Sequence, residues 1–308
     1  MMMNINIKEK IQALQTFYKI ASKNFKRANV SGAAIVIAYY TLVAIFPMVI
    51  FIGNILPLFH LDSSAILPYL KIAVPVSVYG TLEPLLKNFL DAGSSSGAAS
   101  ISGLLTLWAA SRGINALKKA FNETFGVGVD QGMFTQRILS FLITIFIGVL
   151  LVVFFFIYSF GQQILEYITP IFNLPLDWLT TFMQLKWPTT IIGIFSIMCV
   201  LYLLVPNAKI HFKFLWPGAL FATFGWMILT QGFSYYVSYF AHCVISYGAL
   251  GTFIVLLFWM NYSSLVIMIG AVINASLEEQ EFGKIRIKRS LDHFNDSSVK
   301  RIFKRKNK

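Results

Sequence analysis

From Ala33 to Phe59 the chain runs without one charged side chain, from Ala-Ala-Ile-Val-Ile-Ala-Tyr-Tyr-Thr through Phe46-Pro47 to Leu56-Pro57-Leu58-Phe59. A helix rising about 1.5 Å per residue over that length exceeds the roughly 30 Å of bilayer hydrocarbon, so the stretch can cross with tilt. Lipid offers no partner to backbone N–H and C=O groups, which leaves a helix as the form such a segment must take. Pro47 lies in its middle and has no N–H, so the carbonyl of Val43, one turn back, loses its usual donor. Tyr39, Tyr40, Thr41 or a second helix must supply one, which marks this span as a packing centre rather than a peripheral anchor.

Composition extends the same argument to the whole chain. Of 308 residues 57% are hydrophobic and only 12% charged, where an ordinary soluble domain carries about 25% charged residues, and the mean hydropathy is +0.69. The expected fold is an all-α integral membrane protein: a bundle of six transmembrane helices with an N-terminal amphipathic helix and a basic cytoplasmic tail. The spans fall at 33–59, 98–117, 138–160, 187–205, 214–240 and 249–273, within a membrane domain of 33–275. Residues 98–117 are the least apolar of these, interrupted by Arg112, and either cross fully or re-enter.

The leader, 1–32, spaces Ile11, Leu14, Tyr18, Ala21 and Phe25 at helical intervals among Lys10, Lys19, Lys23, Lys26 and Arg27. Such a helix either lies on an anionic leaflet or packs on the other helices. Ser31-Gly32 is the expected break before the first span. Pro68, Pro75 and Pro84 cut the apolar pieces of the outer segment 65–90 too short to cross, and a flexible Gly/Ser linker at 91–97 follows. The tail, 276–308, reads as polar, basic and partly disordered. A polar leader of 32 residues and so long a first apolar run do not fit a cleavable signal peptide.

Charge sets the parity of crossing. With six spans, 22 of the 25 Lys and Arg residues fall on one side and 3 on the other. Basic loops stay cytoplasmic, so both termini are placed on the cytoplasmic side of the membrane. Five spans would put the basic tail opposite the basic leader. The same asymmetry accounts for a net charge of +12 without nucleic acid and leaves membrane lipids as the expected partner. A second copy of the chain is a protein partner this reading admits.

Few residues suggest chemistry. Arg112 inside a span costs on the order of 2.5–3.5 kcal/mol at the bilayer centre, less near the helix end, where it can snorkel. It serves either topology or function; in the second case Arg112, Lys118 and Lys119 together hold an anionic group such as a lipid phosphate. Asn54, Asn115, Asn122, Asn261 and Asn274 are amides in or beside spans and need partners, from other helices or from a substrate. No Asp or Glu lies well inside a firm span, and there is no GxxxxGK phosphate loop. His60, His211, His242 and His293 are scattered, and Cys199 and Cys243 have no ligand spacing, so no catalytic residue, cofactor or metal is expected.

An ordered series of short motifs carries a resemblance. Tyr39-Tyr40-Thr41 with Phe46-Pro47 comes first, then Trp108-Ala-Ala-Ser-Arg-Gly113 with Asn122, Leu201-Tyr-Leu-Leu-Val-Pro-Asn207 and Pro217-Gly218. Tyr247-Gly-Ala-Leu-Gly251, Trp259-Met-Asn-Tyr262, Gly270-Ala271 and Asn274 complete it. Together they make the chain resemble the YihY/BrkB family of bacterial inner-membrane proteins. That resemblance implies six helices with cytoplasmic ends, and roles in moving envelope lipids or other anions; the family's old label, ribonuclease BN, finds no metal constellation here. The expectation is a transporter, or transport helper, for an amphipathic or anionic envelope component, lipid first, working with envelope-transport proteins as partners. The alternative is a non-transporting membrane scaffold for envelope machinery. The sites expected to matter are Arg112, Lys118, Lys119, Asn122, Tyr39, Tyr40, Pro47, Asn261 and Asn274.

Overall fold

The structure is a computed structural model that describes residues 2–55, 83, 96–128, 138, 140–150, 186–239 and 248–287. Its helices are α1 (Met2–Arg27), α2 (Val30–Ile55), α3 (Ser96–Phe125), α4 (Ser140–Leu150), α5 (Lys186–Leu204), α6 (Phe212–Tyr239) and α7 (Gly248–Phe282). Two-residue strands β1 (Ala208–Lys209) and β2 (Arg286–Ile287) pair antiparallel, Ala208 opposite Ile287. The outer segment 65–90 except Glu83, most of the linker, the second half of the 138–160 span and the end of the tail lie outside the described residues.

Among the described residues two helices are long and apolar enough to cross a membrane, α6 over Phe212–Val237 and α7 over Phe253–Phe282, or three if the bent α1–α2 pair forms one span. Six crossings is therefore a larger claim than these helices establish. α7 packs on α6, α2, α3 and α1; α2 lies along α3; α5 packs on α6. Five hydroxyls within the apolar helices are satisfied on their own helix: Thr106, Thr144, Ser196, Thr223 and Thr230 each donate to the carbonyl four residues back. In a medium without water that is the nearest acceptor available.

Two apolar cores result. One gathers Val30, Phe121, Phe125, Tyr202, Val205, Leu215, Met268 and Ala271 at the end of the bundle that also carries Arg27, Lys118 and Lys209; we call this the basic end. The other gathers Ala38, Leu42, Phe233, Val237, Leu256 and Trp259 further along α2, α6 and α7.

Several boundaries differ from the sequence reading. The break after the leader falls at Asn29, not at Ser31-Gly32: Asn29 takes φ 44°, a left-handed conformation that Asn tolerates better than most residues, and α1 and α2 meet there at a 50° bend. Gly32 is already helical, and its lack of a side chain makes room for the Asn29 amide. α3 starts at Ser96, inside the expected linker, and α7 continues to Phe282, nine residues past the expected end of its span at 273. The helix persists because those polar residues have partners on α1 and in the loop after α5. Thr41 donates to Ile37, so it is not the donor expected for the Val43 carbonyl.

Candidate functional site

The residues of the ordered motifs divide into two places. The first is the basic end, where five segments are latched together. Gly218 of α6 and Gly270 of α7 meet backbone to backbone: a Cβ on Gly218 would overlap the Gly270 carbonyl, and one on Gly270 would overlap the Tyr202 hydroxyl. Pro217 has already interrupted the amide ladder of α6, and the next N–H, that of Gly218, donates to Asn274 Oδ1 at 2.8 Å. Tyr202, fully buried, donates from its hydroxyl to the Ile267 carbonyl at 2.8 Å and packs its ring against Phe121. Beside it Asn122 Oδ1 accepts from the backbone N–H of Asn207 at 2.7 Å, which fixes the turn leading into β1.

The end of α3 is closed by a glycine cap. Val127 N–H reaches the Asn122 carbonyl and Gly126 N–H the Glu123 carbonyl, with Gly126 at φ 62°; this is the paired pattern of a Schellman cap. Arg27 of α1 then donates to the terminal carbonyls of Glu123, which it shares with the Gly126 N–H, and Thr124, at 2.9 and 2.5 Å, and occupies the space a side chain on residue 126 would need. A cation on the carbonyl end of a helix is also favoured by the helix dipole.

The same end holds a carboxylate that the sequence did not single out. Glu278 is buried and grips His211 twice, accepting from the backbone N–H at 3.2 Å and meeting Nδ1 at 2.6 Å, while the imidazole stacks on Phe282. Its neighbour Glu279 pairs with Lys23 at 2.7 Å, and Asn24 donates to Ser276 at 3.3 Å. Buried positions Met268, Ala271, Val272, Ala275 and Glu278 recur at helical spacing along α7. Extending that period past 273 is the signal that would have revealed the continuation.

The second place is the α2–α3 crossing. Gly113 lets the helices close on Tyr40, whose Cβ lies 3.6 Å from where a Cβ on residue 113 would stand. Tyr39 and Tyr40 meet edge to face with centroids 5.3 Å apart. Arg112, half-buried, rests over the ring of Trp108 one turn back at 5.2 Å, and Trp108 is itself 56% exposed. Among the described residues no carboxylate pairs with Arg112. A guanidinium resting on an exposed aromatic, with no carboxylate beside it among the described residues, has donors to offer an anion.

The expected trio of cations is split by the helix. Lys118 is 5% exposed and turned into the core, and burial lowers its amine from the ordinary lysine range. Lys119 is exposed and shares the face of Arg112 two turns on, at about 100° per residue. Asn122 and Asn274 are latch residues. Asn261 is half-buried in α7, its Oδ1 without a partner among the described residues, as is the indole N–H of buried Trp259. Pro47 is half-buried within α2. No group of three His, Cys, Asp or Glu side chains among the described residues could hold a metal ion.

Long apolar helices packed through glycines and self-satisfied hydroxyls define an integral membrane protein of the helical class. The family model described as virulence factor BrkB matches residues 21–292, and the chain belongs to that family. It is 29% identical over 245 residues to the ribonuclease-like protein YfkH of Bacillus subtilis, covering 80% of this chain and 89% of that one. A UPF0761 membrane protein of Vibrio atlanticus is 27% identical over 273 residues, 86% of this chain and 82% of its own. Another, from Mannheimia succiniciproducens, is 25% identical over 288 residues, 88% and 92% of the two chains. No solved structure matches.

Proposed function

We propose that this chain crosses a bacterial inner membrane six times, with both termini cytoplasmic, and that its α2–α3 face binds an anionic amphiphile, lipid above all, and carries or helps carry it across. The observation that supports this is Arg112: a half-buried cation on α3, cushioned on exposed Trp108, with no carboxylate partner among the described residues. An unpaired intramembrane cation is expensive and points to a ligand of opposite charge. Lys119 on the same helix face extends the cationic strip, and Tyr39, next to Tyr40 at the α2–α3 crossing, offers an exposed aromatic to an acyl chain. Buried Lys118, which the sequence grouped with Arg112, has no part in this face.

Proteoliposomes carrying headgroup-labelled phosphatidylglycerol test the reading. The intact chain should speed exchange of labelled lipid between leaflets and Arg112→Gln should abolish the gain; no acceleration by the intact chain, with envelope partners supplied, contradicts it. The route would be downhill or partner-driven, since no phosphate loop is present.

A second reading, a non-transporting scaffold, draws on the basic end, where the motif residues Asn122, Tyr202, Asn207, Gly218, Gly270 and Asn274 are spent on one another. Under it Arg112→Gln leaves the cellular phenotype intact while deletion of 1–28 removes it. Neither reading assigns hydrolysis. RNA cleavage by the purified chain, lost with chelator, would replace both.

A further inference from the structure

α1 has two working faces. Asn24 and Ala28 are buried and Phe17 and Ala21 half-buried against the basic end, tied there by Lys23 to Glu279, Asn24 to Ser276 and Arg27 to the α3 carbonyls. The second face is apolar and uncovered by any of the described residues: Ile11, Leu14, Tyr18 and Phe25, with Leu14 71% and Tyr18 76% exposed. At about 100° per residue these four lie within an arc of about 60°. Lys10 borders one edge of that arc and Lys19 and Lys26 the other; all three are exposed, and none has a carboxylate partner among the described residues. A stripe of aliphatic and aromatic side chains edged on both sides by lysines is what an interfacial helix presents to lipid, apolar groups at the acyl boundary and ammonium groups reaching phosphates.

The direction of α1 fits that role. It bends 50° from α2, so a tilt of α2 by about 20° toward it brings α1 within about 20° of the membrane plane. Its contacts with α7 say the same. Lys23 touches Glu279 and the Ala13 carbonyl accepts from Gln280 Nε2, so two points about 15 Å apart on α1 meet adjacent residues of α7. α1 therefore runs across the end of α7 and not along it.

We propose that α1 is seated on an anionic lipid leaflet, with the Ile11, Leu14, Tyr18 and Phe25 stripe in the interface and Lys10, Lys19 and Lys26 on lipid phosphates. The occupant follows from the excess of positive charge beside the stripe and from the continuity of α1 with the uncharged helix α2, which begins three residues after Arg27. This inference stands whether or not Arg112 handles a substrate. The helix would serve as a strut, holding the ends of α3 and α7 at a fixed depth.

Spin labels at Leu14, Tyr18 and Gln12, introduced one at a time as cysteine into the full chain with Cys199→Ser and Cys243→Ser, test it in proteoliposomes. With phosphatidylglycerol present, labels at 14 and 18 should be reached by oxygen and shielded from an aqueous nickel chelate, while the label at 12 shows the reverse. That contrast should weaken in pure phosphatidylcholine and be lost in the phosphatidylglycerol vesicles after combined Lys10→Gln, Lys19→Gln and Lys26→Gln. Equal chelate access at 12 and 14 overturns the proposal. Shielding from both reagents that grows with protein-to-lipid ratio overturns it in favour of a second copy as occupant, and insertion indifferent to phosphatidylglycerol and to the lysines overturns the anionic assignment.

Discussion

The basic end and the α2–α3 crossing use the same materials, amides, aromatics, glycines and cations, to opposite ends. At the basic end cations and amides hold the fold together, with Arg27 capping α3, Asn274 fastening α6 and Asn122 fixing the turn into β1. At the crossing Arg112 rests on a ring of its own helix, with no carboxylate partner among the described residues, and that ring is exposed. A side chain spent on the fold and one held in reserve look alike as letters in a sequence. Their surroundings separate them, and so should their mutants.

The sharpest way to break the comparison is to force the latch open. Gly218→Val needs space already filled by the Gly270 carbonyl and the Asn274 amide. Overpacking of this kind typically costs 1–3 kcal/mol, and about 3 or more is expected where the neighbour is backbone; little folded protein should survive detergent extraction and size-exclusion chromatography. Recovery like that of the unaltered chain would mean the two helices are not in contact. Next comes Asn274→Ala, which leaves the Gly218 N–H buried without its partner and should cost about 1–3 kcal/mol, read as a lower midpoint of thermal unfolding in detergent. Gly126→Ala imposes a left-handed alanine and crowds Arg27, for a loss of about 1–2 kcal/mol in the same measurement. Smallest at this end is Lys23→Ala: the ammonium is largely solvated, so the lost pair with Glu279 should be worth under about 1 kcal/mol and shrink further in high salt.

Two of the expected apolar stretches coincide with helices. Residues 187–205 and 214–240 were expected against helices at Lys186–Leu204 and Phe212–Tyr239, because hydropathy follows contact with lipid and needs no knowledge of tertiary partners. The sequence reading failed where polarity and burial part company. Ser276, Glu278 and Glu279 read as the start of a tail, yet they continue α7 because Asn24, His211 and Lys23 meet them from segments far away in the chain. Two-residue strands have no period to detect, so the β1–β2 pair was invisible. The break at Asn29 depended on a backbone conformation that Asn permits without requiring.

Site residues were legible as a set and illegible as roles. The motifs picked out Asn122 and Asn274 beside Arg112, but only packing shows that the amides are fasteners. Grouping Arg112 with Lys118 joined cations by their nearness in sequence; six residues apart on a helix they point about 120° from each other, one to the surface and one to the core.

The division of labour between fold and function is tested most directly by pairing two variants in one preparation, Arg112→Gln and Asn274→Ala, and reading both thermal unfolding in detergent and leaflet exchange of labelled phosphatidylglycerol. Arg112→Gln should keep the unfolding midpoint and lose lipid exchange, while Asn274→Ala should lower the midpoint and keep exchange at temperatures where it remains folded. If Arg112→Gln instead lowers the midpoint as far as Asn274→Ala while its folded fraction still exchanges lipid, Arg112 belongs with the fasteners and the account is wrong.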